Sequence, residues 1–126
     1  MAHHKYWGYH LMLDCAKCSK KLIKDEKHIR NFIDALVIDI DMKKLGDLKF
    51  ENLQTGPEKL HGISVVQLVH TSSIVVHFVE STGDVYLDIF SCKQFNRDDA
   101  IACFDKYFKP TKMNVHYLTR DANIVK

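Results

Sequence analysis

The sequence lacks any apolar stretch long enough to cross a membrane, and its N-terminal segment, MAHHKYWGYH, has no apolar signal core. We therefore expect a soluble cytoplasmic protein without a membrane partner. An excess of charge of one sign is also missing, because 18 Lys and Arg residues are balanced by 16 Asp and Glu residues. The net charge of +2 provides no basic surface of the kind that binds nucleic acid, so no nucleic-acid partner is expected.

Cysteine is scarce, and the four residues are Cys15, Cys18, Cys92 and Cys103. Without a secretory signal, a disulfide framework is not expected. Cys15 and Cys18 have C-x-x-C spacing, but a structural zinc site usually needs a second pair, and the other two cysteines are not spaced as one. A redox C-x-x-C usually opens a helix, whereas this motif follows a strand pattern and precedes lysines. We therefore expect four separate thiols and no metal site.

What the sequence does have is apolar material, since 46% of its residues are hydrophobic. High apolar content with a low net charge excludes an intrinsically disordered chain. A chain of 126 residues is most simply one domain, and this one can bury a hydrophobic core.

Hydrophobic periodicity predicts the element order β-α-β-β-β-β-α-β. The predicted strands are residues 6–15, 47–53, 63–70, 74–80, 85–92 and 113–119. The first helix has an apolar stripe at Ile29, Phe32, Ile33, Leu36, Val37 and Ile40, and the second at Ala100, Cys103, Phe104, Tyr107 and Phe108. Asn96 is the expected N-cap of the second helix, and Pro110 is expected to end it.

A run of strands with two helices predicts an α+β, two-layer sandwich, with an antiparallel sheet carrying both helices on one face. The other face of the sheet would be left bare. Because an exposed apolar face is usually covered by a partner, we expect that face to form the interface of a homodimer.

The segment QLVHTSSIVVHFVE interrupts an apolar pattern with Thr71, Ser72 and Ser73. Spacing alone favours a β-bulge or a tight turn in which the hydroxyls bond to the backbone. If the chain bends there, Ser72 and His77 could converge as a nucleophile and a base. The following hairpin could also return Cys92 to the start of its partner strand.

Four segments, YWGYHLMLDCAKC, HGISVVQL, HTSSIVVHF and VYLDIFSCK, together resemble the prokaryotic-type S-adenosylmethionine decarboxylases. The matching residues are Gly8, His10, Leu11, Asp14 and Cys18, then Gly62 and Ser64, then Ser72 and His77, and finally Asp88, Phe90 and Cys92. The offsets among the four chemically important positions match without a gap, and the resemblance extends from Tyr6 to about Arg120.

The resemblance implies a zymogen that cleaves its own backbone. The Ser72 hydroxyl would attack the carbonyl of Thr71 and convert the amide into an ester, with Ser64 close to the developing oxyanion. His77 would then remove the α-proton of residue 72, and β-elimination would separate a β chain of residues 1–71 from an α chain of residues 72–126. Hydrolysis would leave a pyruvoyl group in place of Ser72.

The implied reaction is the decarboxylation of S-adenosylmethionine for the synthesis of spermidine and other polyamines. The pyruvoyl cofactor derived from Ser72 would form a Schiff base with the substrate and act as its electron sink. Cys92 would protonate the resulting carbanion. Asp14, Trp7 and Glu80 are the expected substrate contacts. The alternative to substrate binding is a surface carboxylate for Asp14. For Trp7 it is a core or interface residue. The expected assembly is a homodimer of αβ units.

The sequence departs from the family pattern around the expected cleavage point. Thr71, Ser72 and Ser73 replace the usual Glu-Ser-His, and Lys93 replaces a glycine after the implied proton donor. Glu80 lies one position before the family's glutamate. These departures leave two alternatives open, a pyruvoyl-dependent decarboxylase of arginine or ornithine, and a non-processing homologue that serves as a binding or regulatory subunit.

Overall fold

A computed structural model describes residues 6–124 and contains six strands and two α-helices in that range. The strands are β1 (Gly8–Ala16), β2 (Lys49–Leu53), β3 (Gly62–Val69), β4 (Ser72–Val79), β5 (Asp84–Ser91) and β6 (Lys112–Arg120). The helices are α1 (Glu26–Asp39) and α2 (Arg97–Phe108), with short 3-10 turns at Leu22–Lys24 and Glu58–Leu60. The predicted order of strands and helices is confirmed.

The strands form one antiparallel sheet in the order β2-β3-β4-β5-β1-β6. Strands β3, β4 and β5 form a meander joined by tight turns, and β1 lies between β5 and β6. This order places the end of β3, the start of β4 and the end of β5 side by side at one edge of the sheet.

Both helices begin at side-chain caps that satisfy free backbone amides. The Asp25 carboxylate accepts from the backbone N–H of His28 at 3.1 Å at the start of α1. Asn96 does the same for the N–H of Asp98 at 2.8 Å, which confirms the predicted cap of α2. The second helix ends at Phe108, and its C-cap residue, Lys109, has a left-handed φ of 51° directly before Pro110.

The hydrophobic core lies between the two helices and one face of the sheet. The Phe32 ring of α1 packs against Phe104 and Phe108 of α2, with centroid distances of 5.7 and 4.9 Å. Phe108 also packs on Phe78 of β4 at 5.2 Å, which joins the helical layer to the sheet. The predicted two-layer α+β sandwich with both helices on one face is therefore confirmed.

The opposite face, which we call the open face, carries the alternate residues of each strand, such as Asp14 of β1 and His77 of β4. It exposes several large apolar side chains, whose exposed fractions lie between 44% and 53%. These residues are Leu53, Leu68, Tyr86 and Leu118. No helix within residues 6–124 has both the length and the apolar character needed to span a membrane.

Candidate active site

The hydroxyl-rich segment forms a tight hairpin turn. Val69 pairs with Ser72, so only His70 and Thr71 connect β3 to β4. Thr71 has a φ of +65°, and its hydroxyl donates to the carbonyl oxygen of His70. The turn favoured by spacing alone is confirmed. A β-branched residue is rare in this left-handed region, because its Cβ crowds its own carbonyl oxygen. The Thr71–Ser72 peptide bond therefore begins at a strained carbonyl.

The end of β5 returns to this turn, as the hairpin predicted. Ser72 pairs with Ser91, and Cys92 follows immediately. The backbone N–H of Cys92 donates to the carbonyl oxygen of Thr71 at 3.3 Å. This hydrogen bond polarises the Thr71 carbonyl and makes its carbon more electrophilic.

Cys92 also differs from the other three cysteines in its environment, since it is half-buried whereas they are buried. Burial raises the pKa of the Cys15, Cys18 and Cys103 thiols to about 12, so those groups stay protonated. Cys92, whose backbone N–H contacts Thr71, is thus the most exposed of the four cysteines.

The Ser72 hydroxyl faces the helical layer and donates to the Ser91 hydroxyl at 2.6 Å. Ser91 was not among the predicted site residues. A signal was present, because Ser91 occupies an inward position that continues the apolar series Val85, Leu87 and Ile89. A hydroxyl in such a series is usually there to make a buried hydrogen bond.

Ser64 and His77 form a second polar group, on the open face. They pair directly across β3 and β4, and the Ser64 hydroxyl and the His77 Nδ1 are 2.8 Å apart. Strand β4 runs without a break from Ser72 to Val79. Five residues of strand separate Ser72 from His77, or about 16 Å, and an odd offset places their side chains on opposite faces. The expected convergence of Ser72 and His77 is therefore wrong for a single chain. The expected place of Ser64 near the Thr71 carbonyl is wrong for the same reason, because Ser64 lies beside His77.

Two rows across the sheet on the open face contain the side chains of interest. One row contains Asp14, Tyr86, His77 and Ser64, which are successive cross-strand partners. The second row lies next to the turn and contains His10, Phe90 and Ser73. Asp14 Oδ2 lies 3.3 Å from His116 Nε2, and His10 Nε2 lies 3.1 Å from Asp88 Oδ1. About 13 Å of strand separates the two rows.

Trp7 lies beside the second row. Its ring stacks on Phe90 at a centroid distance of 5.9 Å, and the Arg120 guanidinium covers Phe90 at 4.9 Å. These three side chains line a cavity of about 440 Å³ together with residues 121–123. Trp7 is 61% exposed, so it is not a core residue of one chain.

Glu80 lies at the far end of β4 from Ser72 and accepts from Gln54 Nε2 at 2.8 Å. The fold therefore does not bring Glu80 to the turn within one chain. Within residues 6–124, no cluster of three or more His, Cys, Asp or Glu side chains is arranged to hold a metal ion.

The site belongs to a two-layer α+β domain in which Ser72 follows a residue with a left-handed φ and lies beside the end of β5. The family model described as S-adenosylmethionine decarboxylase matches residues 9–121. The chain therefore belongs to the S-adenosylmethionine decarboxylase family.

Individual relatives agree with this assignment. The chain is 26% identical over 114 residues to the S-adenosylmethionine decarboxylase proenzyme of Archaeoglobus fulgidus, covering 90% of this chain and 96% of the relative. It is 22% identical over 121 residues to the proenzyme of the same name from Methanococcus aeolicus, covering 95% and 98%. The fold is similar to the crystal structure of the adenosylmethionine decarboxylase from Aquifex aeolicus. The TM-score is 0.80 at 19% identity, covering 98% of this chain and 96% of the other.

Proposed function

We propose that this member of the S-adenosylmethionine decarboxylase family is a proenzyme that cuts its own backbone between Thr71 and Ser72. The processed enzyme then decarboxylates S-adenosylmethionine, and its product serves the synthesis of spermidine and other polyamines. The observation that carries the proposal is the contact of the Cys92 N–H with the Thr71 carbonyl, directly before Ser72. The β3–β4 turn thus supplies the scissile carbonyl and the nucleophile, and the end of β5 supplies an oxyanion donor.

The first step is an N-to-O acyl shift. The Ser72 Oγ bonds to the carbonyl carbon of Thr71, the C–N bond breaks, and the hydroxyl proton ends on the Ser72 nitrogen. Negative charge develops on the Thr71 oxygen as the carbon becomes tetrahedral, and the Cys92 N–H, 3.3 Å from that oxygen, stabilises it. The product is an ester, and no other reactant is consumed.

The second step removes the α-proton of residue 72 and breaks the bond between its Cβ and the ester oxygen. Residues 1–71 leave with the Thr71 carboxylate, and residue 72 becomes dehydroalanine at the start of residues 72–126. Tautomerisation and attack by water then release ammonia and leave a pyruvoyl group. A base is required for the proton removal, and His77, hydrogen-bonded to Ser64, is the proposed group.

The residues around position 72 fit a pyruvoyl group, because a serine is its chemical precursor and the half-buried Cys92 directly follows Ser91, the cross-strand partner of Ser72. When present, this group supplies the electron sink for decarboxylation that no standard side chain offers. Cys92 is the proposed donor of the proton that replaces the lost carboxylate. Its backbone already contacts the residue that precedes position 72.

The cavity beside Trp7 is the proposed contact surface for the aromatic and cationic parts of S-adenosylmethionine. The exposed Trp7 ring and Phe90 present aromatic faces, which attract a sulfonium and stack on a purine. Phe90 is the cross-strand partner of Ser73, so this surface adjoins the turn. Asp14 and Glu80 lie farther along the strands from this cavity. They could contact the substrate only if a second chain brought its own Asp14 and Glu80 to the cavity.

In a homodimer, His77 of the partner subunit could lie close to Ser72, although the two residues are far apart within one chain. If two open faces pack together about a two-fold axis that crosses the strands above Val75, the two rows exchange places. His77 of the partner subunit then lies opposite Ser73, next to the bond to be cleaved. The exposed apolar residues of the open face, including Leu68 and Leu118, would be covered by the same packing.

The test is complementation between two inactive variants. Ser72→Ala lacks the nucleophile, and His77→Ala lacks the base, so neither is expected to be cleaved alone. When the two are co-expressed, the His77→Ala chain should be cleaved, because the partner subunit supplies His77.

A matched control co-expresses His77→Ala with the double variant Ser72→Ala/His77→Ala, which offers a partner but no base. That mixture should stay uncut. If His77→Ala is never cleaved beside Ser72→Ala while the wild-type chain processes normally, then His77 does not act across a dimer. A wild-type chain that never processes contradicts self-cleavage itself.

A further inference from the structure

Ser91 is a buried hydroxyl in an apolar setting. It occupies the last inward position of β5 and is 0% exposed. A hydroxyl without access to solvent must find its hydrogen-bond partners within the protein. Ser91 finds three partners, the Ser72 hydroxyl and both backbone groups of Lys93.

These three contacts use the full capacity of a serine hydroxyl, which is one donated and two accepted hydrogen bonds. Ser91 donates its hydrogen to the carbonyl oxygen of Lys93 at 2.7 Å. It accepts from the backbone N–H of Lys93 at 2.9 Å and from the Ser72 hydroxyl at 2.6 Å. Because the Ser91 hydrogen is already engaged, the bond to Ser72 can form in one direction only, with Ser72 as the donor.

This direction has a chemical consequence for Ser72. The hydrogen of the Ser72 hydroxyl points at Ser91, so the lone pairs of its oxygen are left free to approach the adjoining carbonyl. We propose that Ser91 positions the Ser72 hydroxyl for the acyl shift, a role that rests on the proposed self-cleavage. Ser91 sets the rotamer of the nucleophile, and the neighbouring Cys92 N–H holds the carbonyl that it attacks.

The segment that holds Ser91 is anchored independently of the turn. Lys93 provides both backbone contacts, and its Nζ donates to the carbonyl oxygen of Asp41 at 2.5 Å and to the Asp41 carboxylate at 3.0 Å. The end of β5 is thereby tied to the chain that follows α1. Ser91 consequently keeps its orientation when the Thr71–Ser72 bond changes.

The positioning role changes the rate of one step only. Formation of the bond between the Ser72 Oγ and the Thr71 carbon requires the oriented hydroxyl, and the proton still ends on the Ser72 nitrogen. The later removal of the α-proton does not involve the Ser72 hydrogen bond. Loss of the Ser91 hydroxyl should therefore slow ester formation, so that little ester accumulates.

The experiment compares Ser91→Thr with Ser91→Val, which have nearly the same shape and differ in the hydroxyl. Precursors are made by cell-free translation, and cleavage is followed over time on denaturing gels. Ser91→Thr should cleave at a rate close to wild type, and Ser91→Val should be slower by about tenfold or more, the effect of losing one hydrogen bond. Equal rates for the two folded variants would overturn the proposal. Ser91→Ala repeats the comparison against wild type without added bulk.

Hydroxylamine, which cleaves esters, locates the affected step. The His77→Ala precursor should be cleaved by hydroxylamine because its ester forms and persists, whereas the Ser91→Val precursor should resist. Hydroxylamine cleavage of Ser91→Val equal to that of His77→Ala would overturn the positioning role. Thr82→Ala is the matched control. It removes a hydroxyl from the β4–β5 turn, at the opposite end of these strands from Ser72 and Ser91, and should process normally. Failure of the wild-type chain to process would instead contradict the proposed function.

Discussion

Replacing Thr71 by glycine should slow self-cleavage, although it removes strain from the folded protein. The φ of +65° places the Thr71 Cβ against its own carbonyl oxygen, the atom that must leave the peptide plane during attack by Ser72. Conversion of that carbon to a tetrahedral centre moves the oxygen away from Cβ and relieves the crowding. The strain therefore lowers the barrier to cleavage, and a residue without Cβ forfeits the effect.

The magnitude follows from the conformation. A left-handed non-glycine residue carries roughly 1–2 kcal/mol of strain, and if all of it is released at the transition state, Thr71→Gly should cleave about 5- to 30-fold more slowly. Glycine also makes the unfolded chain more flexible, which lowers the free energy of unfolding by about 0.5–1 kcal/mol. The net gain in stability of Thr71→Gly should therefore lie between about 0 and 1.5 kcal/mol.

The rate is measured by cell-free synthesis of the precursor and a time course on denaturing gels, and the stability by denaturant unfolding in a Ser72→Ala background. Thr71→Asn, which tolerates the left-handed region better than threonine, should show an intermediate rate. Lys109→Gly is the control, because it relieves a left-handed φ of 51° at the end of α2, remote from the turn. It should leave cleavage unchanged. A Thr71→Gly precursor that cleaves as fast as wild type would refute the role of strain.

Three further predictions concern the cysteines. In the folded protein at neutral pH, iodoacetamide should label Cys92 first and spare Cys15, Cys18 and Cys103, as peptide mapping would show; equal labelling of all four would contradict the structure. Because burial raises the pKa of those three thiols from 9.0 to about 12, the unfolded chain loses these protons first, and the melting temperature should fall as pH rises above 9.0. A flat profile up to the raised pKa would contradict this linkage. Cys92→Ala should still cleave after Thr71 but release little labelled carbon dioxide from carboxyl-labelled S-adenosylmethionine, and normal release would exclude Cys92 as the proton donor.

Most of the fold could be predicted because each element carries its own periodicity. The alternation along Ile74, Val76 and Phe78 marks the inner face of β4, and the 3.6-residue stripe that includes Phe32 marks the inner face of α1. The hairpin between β4 and β5 also followed from its turn signal, and it placed Cys92 correctly beside Thr71. These features depend on local residue patterns, so they can be predicted from a single sequence.

The prediction that Ser72 and His77 converge was wrong, and their spacing in the sequence explains why. Residues five apart in a regular strand face opposite sides of the sheet, so the meeting required a bend, and the turn ends before Ser72. The contacts of Trp7 could not be predicted, because they depend on the segment that follows β6 and folds back beside Phe90. The direction of the Ser72–Ser91 hydrogen bond likewise depends on backbone atoms of Lys93, which no residue pattern specifies.

The most direct measurement of self-cleavage is the intact mass of the purified chain. Two fragments are expected, residues 1–71 ending in a free Thr71 carboxylate and residues 72–126 with a blocked N-terminus. Their summed mass should exceed that of the precursor by one water less one ammonia. Fragments whose summed mass exceeds the precursor by a whole water would indicate ordinary proteolysis. A single uncut species of 14.6 kDa would contradict self-cleavage outright.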